Sequence, residues 1–157
     1  MTAPLDVLLI ESDPEVGGFD ADLLEAAGHR VHRCYPIPGR RHDHVPVRDR
    51  YLCTGITTGS CPIDAGIDVA LLVRRRIATR PKGSEAGVIC AFRAGIPVVE
   101  DGPDLLDPYE TRLTGRTEGD VVAACEAAAG DPFEPLRGEI RRRIAPRLSP
   151  ATSTRAR

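Results

Sequence analysis

Residues 67–76 read IDVALLVRRR, an apolar run that ends in three consecutive arginines. From Asp68 to Val73 the apolar side chains fill both alternations, which is the pattern of a strand covered on both faces. Such strands belong to parallel sheets and need partners of the same kind. Residues 5–10, LDVLLI, are one, and residues 96–100, IPVVE, are another, with Pro97 near its start where a missing N–H is tolerated.

Helical spacing fills the intervals. Asp13 can cap a helix whose first position is Pro14, since proline's missing N–H is not needed there. Val16, Phe19, Leu23 and Ala27 lie three and four apart as its inward face, and Gly28 closes it before a second strand in HRVHRC, residues 29–34. Ser84 opens a further helix carrying Val88, Ile89 and Phe92, ended by Gly95. Residues 120–129, DVVAACEAAA, form a small-residue helix, and TRLTG at 111–115 supplies a fifth strand at one edge. Cys90 and Cys125 fall among apolar helix neighbours and read as core.

Strands alternating with helices imply an α/β fold of three layers with a parallel sheet, because parallel crossovers need a covering element. The expected strand order is 2-1-3-4, with the fifth strand outermost. Residues 1–130 make the domain. Between Tyr35 and Gly66 a proline- and glycine-rich stretch without apolar periodicity takes the place of the second helix, a length of loop that usually has a function. Phe133, Leu136, Ile140 and Ile144 place an amphipathic helix over 131–148, and 149–157 read as a disordered tail.

The chain has 157 residues, enough for one core without disulfide staples. Its formal charge of −2 gives no global pull towards nucleic acid, no aromatic platform supports single-stranded binding, and no run reaches the length of a membrane span. The opening MTAPLDVLLI lacks the basic and long apolar regions of a signal peptide, so a cytoplasmic location is expected. Five cysteines in a reducing compartment then point to metal binding, reactive thiols or burial rather than disulfides.

Ligands of such sheets bind outside the carboxyl ends of the strands. That edge should gather Glu11, Ser12, Asp13, Arg74, Arg75, Glu100 and Asp101; of these, Glu11, Asp13, Arg74, Glu100 and Asp101 are the candidate ligand-binding residues. The arginines can equally be a solvated strand exit, with one or two paired to Glu100, Asp101 or Asp13. A second candidate site is a metal centre of Cys34, Cys53, Cys61 and His44, holding Zn²⁺ or an iron–sulfur cluster, or a thiol-based redox site using the same cysteines. The spacing is irregular for a zinc knuckle, and three unrelated buried thiols fit it as well. TGITTGS, residues 54–60, can be an anion-cradling loop or an ordinary turn.

Over VLLIESDPEV, LLEAAGHRVHRC, DVALLVR and AGIPVVEDG the chain resembles the receiver domains of bacterial response regulators, which are flavodoxin-like. The resemblance implies a phospho-acceptor aspartate at the end of the third strand and Mg²⁺ held by acids after the first. Here Glu11 matches the first acid, Ser12 stands at the second, and Val73 stands at the acceptor. The switch hydroxyl falls near Gly102, and the phosphate-binding lysine near Gly115 and Arg116. A pseudo-receiver acting through a protein partner, itself or another chain, is therefore the leading expectation. The metal- or thiol-dependent protein is the alternative. Residues around Glu85 are also loosely similar to nucleoside deoxyribosyltransferases, which implies a small-molecule or nucleotide-binding enzyme with Glu85 as nucleophile.

Overall fold

A computed structural model describes residues 3–13, 15–35, 53–77, 79–103 and 107–130. His42, His44 and the whole of 131–157, with the expected terminal helix and tail, lie outside the described residues. Five parallel strands form one sheet in the order β2-β1-β3-β4-β5: β1 Asp6–Glu11, β2 Arg30–Arg33, β3 Val69–Val73, β4 Val98–Asp101 and β5 Gly115–Arg116. The sheet has the expected order, with a fifth strand of only two residues at the edge. Four helices are described: α1 Gly18–Ala26, α2 Thr54–Thr58, α3 Ala86–Ala94 and α4 Val121–Ala129.

The alternation of β1 and β3 explains the three layers. Val7, Leu9, Val69, Leu71 and Val73 pack with Ala21 and Leu24 of α1 and with Val121, Cys125 and Ala128 of α4. Leu8, Ile10, Ala70 and Leu72 face the other way, against Val88 and Ala91 of α3 and against Cys34 and Tyr109. Both faces are buried, so neither alternation carries a polar residue over Val7–Ile10 and Val69–Val73. The register sets Glu11 beside Val73 and Val73 beside Asp101, in one row at the carboxyl edge.

Three local expectations are corrected. Helix α1 starts at Gly18, capped at Gly17, and Asp13 does not cap it, because the Asp13 carboxylate is held by Lys82 Nζ at 2.9 and 2.8 Å. The buried face of α1 is Asp20, Ala21 and Leu24, with Asp20 drawn inward by Arg75, leaving Phe19 69% and Leu23 38% exposed. The long loop is not structureless throughout, since α2 and a short 3₁₀ turn at Pro62–Ala65 occupy its last part. Cys90 is exposed on α3 and does not belong to the core, whereas Cys125 is fully buried as expected.

Candidate functional site

The first arginine after β3 points inward. Arg74 is 1% exposed, and its guanidinium reaches Glu85 Oε1 at 3.1 Å through Nε, and Glu100 Oε1 at 3.4 Å and Asp107 Oδ1 at 3.3 Å through Nη1. Arg116 closes the far side, 2.8 Å from Asp107 Oδ2 and 3.2 Å from Glu100 Oε2. Tyr109 donates its hydroxyl to Glu85 Oε2 at 3.0 Å, and its ring centroid lies 5.9 Å from the Arg74 guanidinium. The other Glu85 contact is a backbone one: the Lys82 N–H donates to Oε2 at 3.0 Å, in a capping box that starts the turn before α3.

Two guanidiniums thus face three buried carboxyls, and one charge must be disposed of. Desolvation, a shared hydrogen bond with Asp107 and the Asp107 charge together push the Glu100 carboxyl up to about 7, against the pull of Arg116 and Arg74. A proton taken up by the Glu100 carboxyl would bring the cluster to neutrality. Gly102 lets the chain close over it: a β-carbon there would stand 2.9 Å from the Arg74 carbonyl oxygen and 3.1 Å from Glu100 Oε1.

The remaining acids of this edge are also paired within the chain. Glu11 accepts from Arg33 Nη1 at 2.8 Å and from the Gly17 N–H at 2.9 Å. Asp13 is held by Lys82. Arg75 joins buried Asp20, at 2.6 Å, to Asp101, which also accepts from the Thr117 hydroxyl. The reading of the arginines as a solvated strand exit is therefore corrected for Arg74. Its pairing with Glu100 and that of Arg75 with Asp101 are as expected, and Asp13 takes the lysine instead.

The Mg²⁺ that the receiver resemblance implies does not fit these residues. Hard divalent cations need open oxygen ligands, but Glu11 and Asp13 are each committed to a cation. Ser12 offers a buried hydroxyl without a hydrogen-bond partner, and Val73 packs in the core. Glu85 is fully enclosed and bonded on both oxygens, so it has no open face to present to a substrate as a nucleophile. Sequence reasoning brought Glu11, Asp13, Arg74, Glu100 and Asp101 to one edge. It missed Asp107, Tyr109 and the role of Glu85 in binding Arg74, and placed Arg116 only beside the position of a receiver's phosphate-binding lysine.

Cys34, Cys53 and Cys61 gather at the other side of the same edge, at the end of β2. Thr54 opens α2 by donating its N–H to the Cys34 carbonyl at 3.0 Å, and its hydroxyl donates to the same oxygen at 2.9 Å. Thr58 turns its hydroxyl back onto the Thr54 carbonyl at 2.8 Å, so these two hydroxyls face the protein and not an anion. Burial first, then the neighbouring thiols of Cys53, Cys90 and Cys61, push the Cys34 thiol up to about 12. Among the described residues no three His, Cys, Asp or Glu side chains are placed to hold a metal ion.

A cavity of about 380 Å³ opens at the opposite end of the sheet, between Ile67, Asp68, Gly95 and Pro97. No helix among the described residues is long and apolar enough to cross a membrane. A scan against protein-family models finds no match, and a search of curated proteins finds none either.

Proposed function

We propose that the protein is a receiver-like interaction domain that works through contact with a protein partner and passes no phosphoryl group. The observation that carries this is the state of the carboxyl edge. The acceptor position is Val73, buried in the core, and the charged side chains around it are tied to one another instead of to an open site. A phosphoryl group brings concentrated negative charge, which needs free cations and a metal to stabilise it. Here the guanidiniums of Arg74 and Arg75 are already spread over carboxylates of the same chain. The exposed Phe19 and Leu23, about one turn apart on α1, supply apolar contact points for a partner.

The test is a ¹⁵N-correlation NMR titration with Mg²⁺ and then beryllofluoride, a phosphoryl mimic. The amides of Ser12, Arg74, Arg75 and Gly102 are expected to keep their shifts. Saturable shifts at those amides would refute the proposal. The contact half is tested by capture on immobilised protein: one partner retained near stoichiometry by the wild type and released by Phe19→Asp supports it, and retention unaffected by Phe19→Asp and Leu23→Asp removes α1 from the account.

A further inference from the structure

The Thr54 N–H donates to the Cys34 carbonyl in the same relation that the Cys34 N–H has to the Leu9 carbonyl, where Leu9 is the parallel partner of Arg33. That bond seats Cys53, the residue before Thr54, next to Cys34 at the end of β2, with its backbone at φ −54° and ψ 135°. Residues joined by such a backbone bond have α-carbons on the order of 5 to 6 Å apart, within the span that a disulfide bridges. The two thiols also lie on the same side, since they share a hydrogen bond.

We propose that Cys34 and Cys53 are an oxidisable dithiol, a site for thiol–disulfide exchange with a low-molecular-weight disulfide. Cys53 is partly exposed and Cys34 is buried, so the reagent enters at Cys53. The Cys53 thiolate attacks one sulfur of the reagent, forming a mixed disulfide and expelling one thiolate. The Cys34 thiol then loses its proton and attacks Cys53 Sγ, expelling the second thiolate. Two electrons pass from the pair to the reagent, which leaves as two thiols carrying the two protons. The buried, high-pKa Cys34 makes the second step the slow one.

The surroundings define the competitors. Cys61 packs on Gly55, where a β-carbon would meet Cys61 Cβ at 3.2 Å and Cys53 Sγ at 3.6 Å. On the other side, Cys34 Sγ rests against Gly87 of α3, one turn before Cys90, and would be 2.7 Å from a β-carbon at that position. Absence of a side chain at Gly87 gives the Cys34 sulfur its place beside Cys53. The bond would fix α2 and its exposed Ile56 to the end of β2, so oxidation changes how firmly one surface element is held.

The experiment treats folded wild-type protein with oxidised glutathione, blocks free thiols, and maps the peptides without reduction. The expected product is a Cys34–Cys53 linked peptide, formed after a transient glutathione adduct on Cys53. Cys61→Ser and Cys90→Ser should keep it, and Cys53→Ser should leave Cys34 unmodified. A Cys53–Cys61 or Cys61–Cys90 link as the main product, a glutathione adduct that never resolves, or bound metal that blocks the reaction would each overturn the proposal. The wild-type map decides independently of whether any serine variant folds.

Discussion

Replacing Glu100 by Gln should make the protein more stable at alkaline than at acidic pH, relative to wild type. Glu100 is fully buried, and its carboxyl is held near 7 against an ordinary value of 4.5. A folded-state pKa raised in this way means that the native protein binds the proton more tightly than the unfolded chain. The associated stability is complete below about 4.5 and is lost as pH rises through 7. At about 1.36 kcal/mol per unit, the wild type loses roughly 2 to 3 kcal/mol between pH 5 and pH 8 from this group. Glutamine keeps the shape, remains neutral, and leaves Arg74 its partners Glu85 and Asp107. Urea unfolding of both proteins at half-unit intervals over this range should show the difference, variant minus wild type, growing by that amount towards alkaline pH. A difference that stays level, or that grows towards acidic pH, would refute the raised affinity of the buried Glu100 carboxyl for its proton.

Other consequences follow from burial. Leu24→Ala should cost about 2 to 5 kcal/mol, because Leu24 is fully buried between α1 and the sheet, whereas Phe19→Ala should lie within about 0.5 kcal/mol of wild type. Equal costs in denaturant unfolding would restore the face that spacing alone suggests. Val73→Asp puts a carboxylate beside Val121 and Cys125 with no cation assigned to it, and should destabilise by more than about 3 kcal/mol without creating an acceptor. A folded, stable Val73→Asp protein that takes up a phosphoryl group would show that the edge is a receiver site lacking a single residue.

The sheet was legible because its signal is local. IDVALLV and LDVLLI carry their burial on both faces in consecutive residues, and loop chemistry at Gly28 and Gly95 marks where α1 and α3 stop, both glycines at positive φ. The inward face of α1 was not legible, because Asp20 looks solvent-facing until Arg75, 55 residues away, is known to pair with it. The same reason hides the acidic cluster. Three cations in a row were plain, but the partners of Arg74 come from 11, 26 and 33 residues further along. Only the third dimension shows that Glu85, in a position any helix N-terminus favours, is a structural counter-ion. Cys90 was misplaced because the apolar neighbours in VICAF lie on two faces of α3, and the cysteine falls on the outer one.

The carboxyl edge is closed by charges of its own chain, and we propose that it passes no phosphoryl group. The most direct test is incubation of the folded wild type with acetyl phosphate and Mg²⁺, followed by intact-mass measurement without acid treatment. The account predicts an unmodified chain at all times. One phosphoryl group per chain, released by hydroxylamine as an acyl phosphate would be, would contradict it.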